Sequence, residues 1–395
     1  MPCLSSSLNT VRCQLWDGRC AHTPRQTLLL SGDTLTLNGQ TLPASLFWQA
    51  LRQMHSNSQH GLVGYLGYGA SRWTDPAMAF VRPDPHLPDT AWFDFETWED
   101  AASLTEAPAT GGFSRLSPWQ MSMTEGDYTL AVSQALNAIQ AGEIYQANLS
   151  FAAEADVQVP DPAALLAALN QQNPSPYAAL LTLPDGSVIL SNSPERLVTV
   201  TPDGVANSRP IAGTRGRGAT LEEDTAIGKT LLSNEKERAE HHMLVDLARN
   251  DLGRVCQAGS VTVDALLTLE RYSHVTHLVS SVSGQLTPGT DAVSVMQVLF
   301  PGGTITGCPK IRSMQVIEAL EPTPRGVYTG SLGVWGKDGS LDLNILIRTL
   351  VLRPMGGIRY NARIQAGAGI VADAVGPHEY RECIRKLGAL LGVLP

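Results

Sequence analysis

A chain of 395 residues, 43% of them hydrophobic and 16% charged, can bury a substantial core and is not disordered. Its net charge of −9 excludes a general nucleic-acid binder, because phosphate backbones are held by an excess of Lys and Arg. The charge of an anionic substrate must therefore be met locally, by a few arginines or a metal ion.

The six cysteines (Cys3, Cys13, Cys20, Cys256, Cys308, Cys383) show no CxxC pair and no zinc spacing, usage that fits a reducing cytoplasm. The N-terminus lacks the apolar run of a signal peptide, and no segment approaches the roughly 18 apolar residues of a membrane span. The expectation is a soluble cytoplasmic protein that engages neither membrane nor nucleic acid.

In chain order, LLLSGDTLTLNGQTL and GLVGYLGYG predict strands around a short helix at about 44–55. Residues 74–122, rich in Pro, Asp and Glu, read as a long surface connection. That divides the chain into an N-terminal region, 1–118, and a second region, 119–395, expected to form one folded unit. Apolar positions 128, 131, 132, 135, 136 and 139 predict a helix over 127–141, stopped at Gly142. The strand IYQANLSF follows, and then Asp161 and Pro162 open a helix as N-cap and first residue.

Residues 177–211 form an antiparallel meander punctuated by PDG turns at 184–186 and 202–204. Counting outward from the second turn sets Glu195 opposite Ile211, at the same end as Ala212. That alanine lies inside SRPIAGTRGRG (208–218), whose three arginines and three glycines suggest a loop shaped around an anion. A helix near 234–250 comes next, then strands near 272–285, 326–336, 343–352 and 358–366, and helices at 309–320 and 377–392. Strands grouped with strands indicate an α+β protein on large antiparallel sheets.

Several side chains in this frame can carry chemistry. Ala239, Met243, Leu244 and Leu247 define an apolar helix face, and Glu240 points within it. A buried carboxylate there requires a cation, a donor or a proton, and a salt bridge to a distant arginine is one solution. In the last helix Glu379, Glu382 and Lys386 edge an apolar stripe. Glu382–Lys386 is an ordinary i,i+4 pair on one reading. On the other, Glu382 and Glu240 converge on Mg²⁺, a hard cation that takes carboxylate oxygens. FPGGTITGCPK (300–310) leads into a helix start that offers backbone N–H groups to an anion, or is simply capped by Thr306. QAGAGIVA (365–372) fits GxGxxA formally, but only 23 residues remain after it, too few for the rest of a dinucleotide fold. A backbone cradle for a carboxylate, or a glycine-kinked strand, fits better. Arg348, read as lying in a strand on the face of Leu346 and Leu350, calls for a carboxylate partner. His274 and His277 fall on opposite faces of a strand, so either is a single acid/base or structural group rather than half of a metal pair.

NSPER, RPIAGTR, EHHMLVDLARNDLGRV, YSHVTHLVSSVSG, FPGGTITGCPKIR, LNILIRTLV and QAGAGIVAD, in that order, closely resemble the chorismate-utilising enzymes over roughly 120–390. The N-terminal third is similar more weakly, through LLLSG and GLVGYLGYG. The resemblance implies two large antiparallel sheets packed as a sandwich with helices outside, and Mg²⁺-dependent chemistry on chorismate. It also implies that Glu240 and Glu382, with Glu379 beside them, hold the metal. Arg348, Thr304, Gly367, Ala368 and Gly369 correspond to the substrate cradle, together with Ala212, Gly213, Thr214 and Gln146. Glu195 corresponds to the general acid, His277 to the histidine beside the ring, and Lys386 to a lysine near the metal.

Water-adding members carry a lysine base where this chain has Gln146, which cannot deprotonate water, so an ammonia nucleophile is implied. YQANL and FPGGTITGCPK are most similar to the aminodeoxychorismate synthase component I members, which transfer ammonia to C4. Ala212 in PIAGT is similar to anthranilate synthase component I, the alternative, because some aminodeoxychorismate synthases place a covalent lysine there. Val334 replaces a tyrosine common in the family. No amidotransferase elbow of GxCxG type is present, so a separate glutaminase subunit is expected. A more remote alternative is a sensor of chorismate or tryptophan, LLLSG being similar to the region where relatives hold tryptophan. Against it, Glu195, Glu240, His277 and Glu382 are all present.

Overall fold

The computed structural model of the protein describes residues 11–100, 112–271 and 275–394. The helices are α1 (Phe47–Asn57), α2 (Glu125–Gln140), α3 (Pro162–Gln172), α4 (Leu221–Ser233), α5 (Glu235–Gly253), α6 (Ala292–Leu299), α7 (Lys310–Leu320) and α8 (Gly376–Leu391). Their starts follow local chemistry. Thr124 and Asp127 make a reciprocal capping box on α2, Asp161 accepts from Ala163 N ahead of α3, and Asn234 accepts from Glu237 N ahead of α5.

Every strand pair is antiparallel. The first sheet runs Gln120–Met121, Gln146–Gln158, Arg359–Ile370, Thr349–Gly356, Val188–Ser193, Tyr177–Thr182, Arg12–Gln14, Arg19–His22 and Glu99–Asp100. The second runs Ile211–Gly216, Val275–Gln285, Val205–Ser208, Arg196–Val200, Leu341–Asn344, Ser331–Gly336, Gly61–Leu66, Thr90–Phe95, Pro24–Ser31, Thr34–Leu37 and Gln40–Pro43. One core lies between the sheets, where Leu181, Ile189 and Val351 meet Val63, Phe93, Leu332 and Val334. The outer face of the first sheet is covered by α2, α3 and α8, and that of the second by α1, α5 and α6. The sandwich with outer helices is therefore present, and no helix among the described residues is long and apolar enough to cross a membrane.

Four sequence expectations change. The connection over 74–122 contains the fully buried strand Thr90–Phe95. Its aromatic residues fill both neighbouring cores, and the surrounding Pro and Asp obscured it. The run 343–352 is not one strand. Leu341–Asn344 belongs to the second sheet and Thr349–Gly356 to the first, so Arg348 lies in the crossing segment, with a left-handed φ of 49°. Leu346 faces the inter-sheet core and Leu350 the outer one, so Arg348 shares a strand face with neither. The PDG hairpin pairs Thr199 with Asn207 and Val200 with Ala206, in the expected register. The ladder stops before Glu195 and Ile211, because Ile211–Gly216 pairs instead with Val275–Gln285. Helix α4 and the strand Thr262–Arg271 were not anticipated. The first buries only Asp224, Gly228 and Leu231, and the second alternates between exposed and half-buried positions, so neither carries a strong apolar period.

Candidate active site

The site grows where two neighbouring stretches of chain leave one sheet for the other. Glu195 sits between Val188–Ser193 of the first sheet and Arg196–Val200 of the second, and Arg348 lies in the parallel situation between Leu341–Asn344 and Thr349–Gly356. Backbone bonds lock the crossings together: Asn192 N donates to Arg348 O at 3.0 Å and Ile345 N to Glu195 O at 2.9 Å. Ser193 Oγ adds a bond of 2.6 Å to Ile345 O. Both functional side chains are thus carried on a doubly bridged, rigid corner.

Glu195 is 7% exposed, and its Oε1 accepts from Thr304 Oγ1 at 2.7 Å. Burial pushes its carboxyl up to about 7, while Thr304 and the charges of Lys386 and Arg348 pull the other way. Arg348, among the described residues, makes no side-chain hydrogen bond. Burial lowers its pKa, and Glu195 opposes that. Its guanidinium is a planar fork with no internal acceptor, suited to a carboxylate from a ligand.

His277 is buried in Val275–Gln285, opposite Thr214 on one side and Glu270 on the other. Burial first, then the Arg348 charge, push its imidazole down to about 4 against the pull of Glu270. His274 lies outside the described residues. Ala212 pairs in the backbone ladder with Leu278, and Gly213 follows in a bulge with φ 70°. The left-handed φ favours glycine at 213, and a Cβ there would stand 2.7 Å from Glu237 Oε2 and push that carboxylate aside.

Glu240 lies half-buried on α5, where Gln146 Nε2 donates to its Oε1 at 2.9 Å. The apolar side of that helix is built by His241, Leu244 and Val245, while Ala239, expected within it, is exposed. Gly369 faces the same carboxylate. A Cβ there would be 2.6 Å from Gln146 Nε2 and 3.4 Å from Glu240 Oε1. On the opposite side, Lys386 Nζ donates to Gly367 O at 2.8 Å and pairs with Glu382 Oε1 at 2.8 Å. The i,i+4 pair and the reach toward the glycine strand are therefore both present. Ala368, between the glycines, turns away into the outer core.

Burial would raise the Glu382 carboxyl, but Lys386, with Arg385 and Arg215 behind it, brings it below its ordinary value. Arg215 Nη2 also donates to Glu237 Oε1 at 2.7 Å. Glu240 of α5 thus stands at Gly369, Glu382 of α8 is linked to Gly367 through Lys386, and Arg215 acts on both Glu237 and Glu382. Glu379 stands one turn before Glu382, near enough to Tyr128 and Cys383 to raise both. The donors are all oxygen, as a hard divalent cation prefers. Among the described residues no three of these carboxylates have oxygens within 4.8 Å of one another; Gln146 engages Glu240, Lys386 engages Glu382 and Arg215 engages Glu237.

The arginines of 208–218 do not form an anion loop. Arg209 pairs with Glu270, Arg215 with Glu237 and Arg217 with Asp224. Thr306 does not cap α7, because its Oγ1 donates to Gly302 O at 2.8 Å and the N-cap is Pro309. Glu237 was missed from sequence, although it precedes Glu240 by three residues on one helix face. Gln146 Oε1 and Asn148 Oδ1 are buried and, among the described residues, have no hydrogen-bond partner; of the two residues only Gln146 was anticipated from sequence.

The profile of the chorismate binding enzyme family matches residues 10–392. The chain belongs to that family. It is 39% identical to aminodeoxychorismate synthase component 1 of Bacillus subtilis, across 92% of this chain and 84% of that protein. It is 47% identical to anthranilate synthase component 1 of Mycolicibacterium smegmatis across 74% of this chain, spanning about half (55%) of that protein. Among solved structures, anthranilate synthase component I of Streptococcus pneumoniae superposes with a TM-score of 0.80 at 30% identity, across 99% of this chain and 93% of that one. Family membership accords with a corner where burial holds the Glu195 carboxyl up to about 7 beside Arg348, whose charge also acts on His277.

Proposed function

We propose that this chorismate binding enzyme aminates chorismate as an aminodeoxychorismate synthase component I, giving 4-amino-4-deoxychorismate, the precursor of 4-aminobenzoate and folate. The observation that carries amination is Gln146, and the 4-amino product is favoured by 39% identity across 84% of aminodeoxychorismate synthase component 1 of Bacillus subtilis. The Gln146 amide cannot deprotonate water, and its Nε2 is committed to Glu240, which leaves Oε1 buried as an acceptor for a nucleophile bearing N–H. Glu195, protonated up to about 7, donates to the departing hydroxyl. Arg348 and the backbone around Gly367–Gly369 hold carboxylate, and Thr304 keeps the Glu195 carboxyl aimed. Neutral His277 lines the ring without adding charge. Glu240 and Glu382, with Glu237 and Glu379 a turn away, would hold Mg²⁺, which when bound offsets the ring carboxylate charge. Lys386 then orients Glu382. Ammonia would be delivered by a separate glutamine amidotransferase subunit, and the component 1 naming of the relatives supports the existence of a separate partner.

One observation favours a second reading. Ala212 leaves the PIAGT strand without a nucleophile, as in anthranilate synthase component I, to which the chain is similar at 47% identity. Purified protein with chorismate, Mg²⁺ and an ammonium salt separates the two by product mass. A product of 4-amino-4-deoxychorismate, turning to 4-aminobenzoate only when a lyase is added, supports the proposal. Fluorescent anthranilate formed without lyase would overturn it.

A further inference from the structure

We propose a second metal site, for a divalent cation of the zinc class, formed by Cys20, His22 and Glu99. Cys20 and His22 lie two apart in Arg19–His22 and so project from one face of the first sheet. Glu99 is the direct antiparallel partner of Cys20 on the edge strand Glu99–Asp100. The Sγ, imidazole nitrogen and carboxylate oxygen all lie within 4.8 Å of one another, the one such group of three among the described residues. Ligands around a tetrahedral zinc are about 3.5 Å apart, so closure needs side-chain shifts of about 1 Å. His22 and Glu99 are exposed and can make them, while the cysteine is buried and fixes the position.

The donor set decides the ion. One sulfur, one nitrogen and one oxygen suit Zn²⁺ or its spectroscopic substitute Co²⁺, whereas Mg²⁺ takes oxygen and dehydrates reluctantly. Binding replaces the Cys20 thiol proton by the metal and releases that proton to solvent, with no change of oxidation state. Cys20 forms no disulfide. The fourth position remains open to water. The trio lies five strands from Arg359–Ile370, about 24 Å at the ordinary strand spacing, so it is separate from the carboxylates of α5 and α8. Its role follows from place: it clips the two-residue strand Glu99–Asp100, the outermost described strand of its sheet, to Arg19–His22.

The test is Co²⁺ titration of the chelator-treated full chain in excess Mg²⁺, followed by thiolate-to-cobalt charge-transfer and d–d absorption. One Co²⁺ per chain is expected, displaced by Zn²⁺, with the charge-transfer band lost in Cys20→Ser. His22→Gln and Glu99→Gln, both at exposed positions, should keep the fold and weaken binding at least ~10-fold each. At the same Zn²⁺ concentration the Tm of the parent chain should rise more than that of His22→Gln. Absence of a thiolate band, a band that survives Cys20→Ser, or affinity unchanged in both exposed variants would overturn the site.

Discussion

Burial holds the Glu195 carboxyl at about 7, against an ordinary value of 4.5, and this fixes the direction of the pH response. Between those values the folded chain keeps a proton that the unfolded chain releases, so stability falls as pH rises through the window, and above about 7 the acid is spent. Turnover should therefore decline as pH rises through about 7. The neutral His277, pushed down to about 4, should add no limb between pH 5 and 7. A kcat profile across pH 5 to 9 checks both. Glu195→Gln should lower kcat by at least ~100-fold and remove the alkaline limb, with circular dichroism unchanged. A full rate in that variant would show that the proton comes from elsewhere. Glu240→Gln should remove the dependence of rate on Mg²⁺ while Gln146 keeps its place, and a metal titration of activity reads that out directly.

Elements bring the site together through close approaches that leave little freedom. Gly369 passes so near Gln146 Nε2 that Gly369→Ala must displace that amide, and with it the bond from Gln146 to Glu240. A shift of about 1 Å at such a place costs on the order of 10²-fold in kcat/KM, with a Tm change too small to explain it. Farther along the same strand pair, α7 ends at a fully buried ion pair. Arg325 Nη2 donates to Glu321 Oε1 at 2.7 Å, and its Nη1 donates to Ile305 O at 2.8 Å. Glu321 Oε1 in turn accepts from Ser150 N at 2.9 Å, so the pair pins Gln146–Gln158 to the turn that carries Thr304. Arg325→Ala would leave Glu321 buried without its cation, at a cost of about 3–5 kcal/mol measurable by urea unfolding.

Helices α2 and α8 were legible from sequence by their apolar stripes, and α3 by its Asp161 N-cap and Pro162. The crossing at 345–348 was not. Apolar residues run through it unbroken while the chain changes sheet, and period alone cannot register a corner. Likewise the motif residues were readable by resemblance, but the partners of Arg209, Arg215 and Arg217 were not, since all three answer carboxylates elsewhere in the fold.

At the scale of the molecule, the N-terminal third is woven into both sheets. Arg12–Gln14 extends the first sheet from Tyr177–Thr182, and Gly61–Leu66 extends the second from Ser331–Gly336. Tyr65, Phe93 and Cys13 complete the core between the sheets, with relative exposures of 0% each. A fragment of residues 119–395 would carry every residue assigned here to the chorismate site, yet two buried strands would become unpaired edges and one wall of the inter-sheet core would open to water. Exposed flat edges of this kind template aggregation, and loss of a core wall removes side chains worth about 1.5–3 kcal/mol each. The fragment should therefore be insoluble, or bind a hydrophobic dye and melt without a cooperative transition, and it should show no Mg²⁺-dependent loss of chorismate. A soluble fragment with a sharp calorimetric transition and ammonia-dependent turnover would show instead that the two regions fold independently and that the corner holding Glu195 and Arg348 needs no support from residues 1–118.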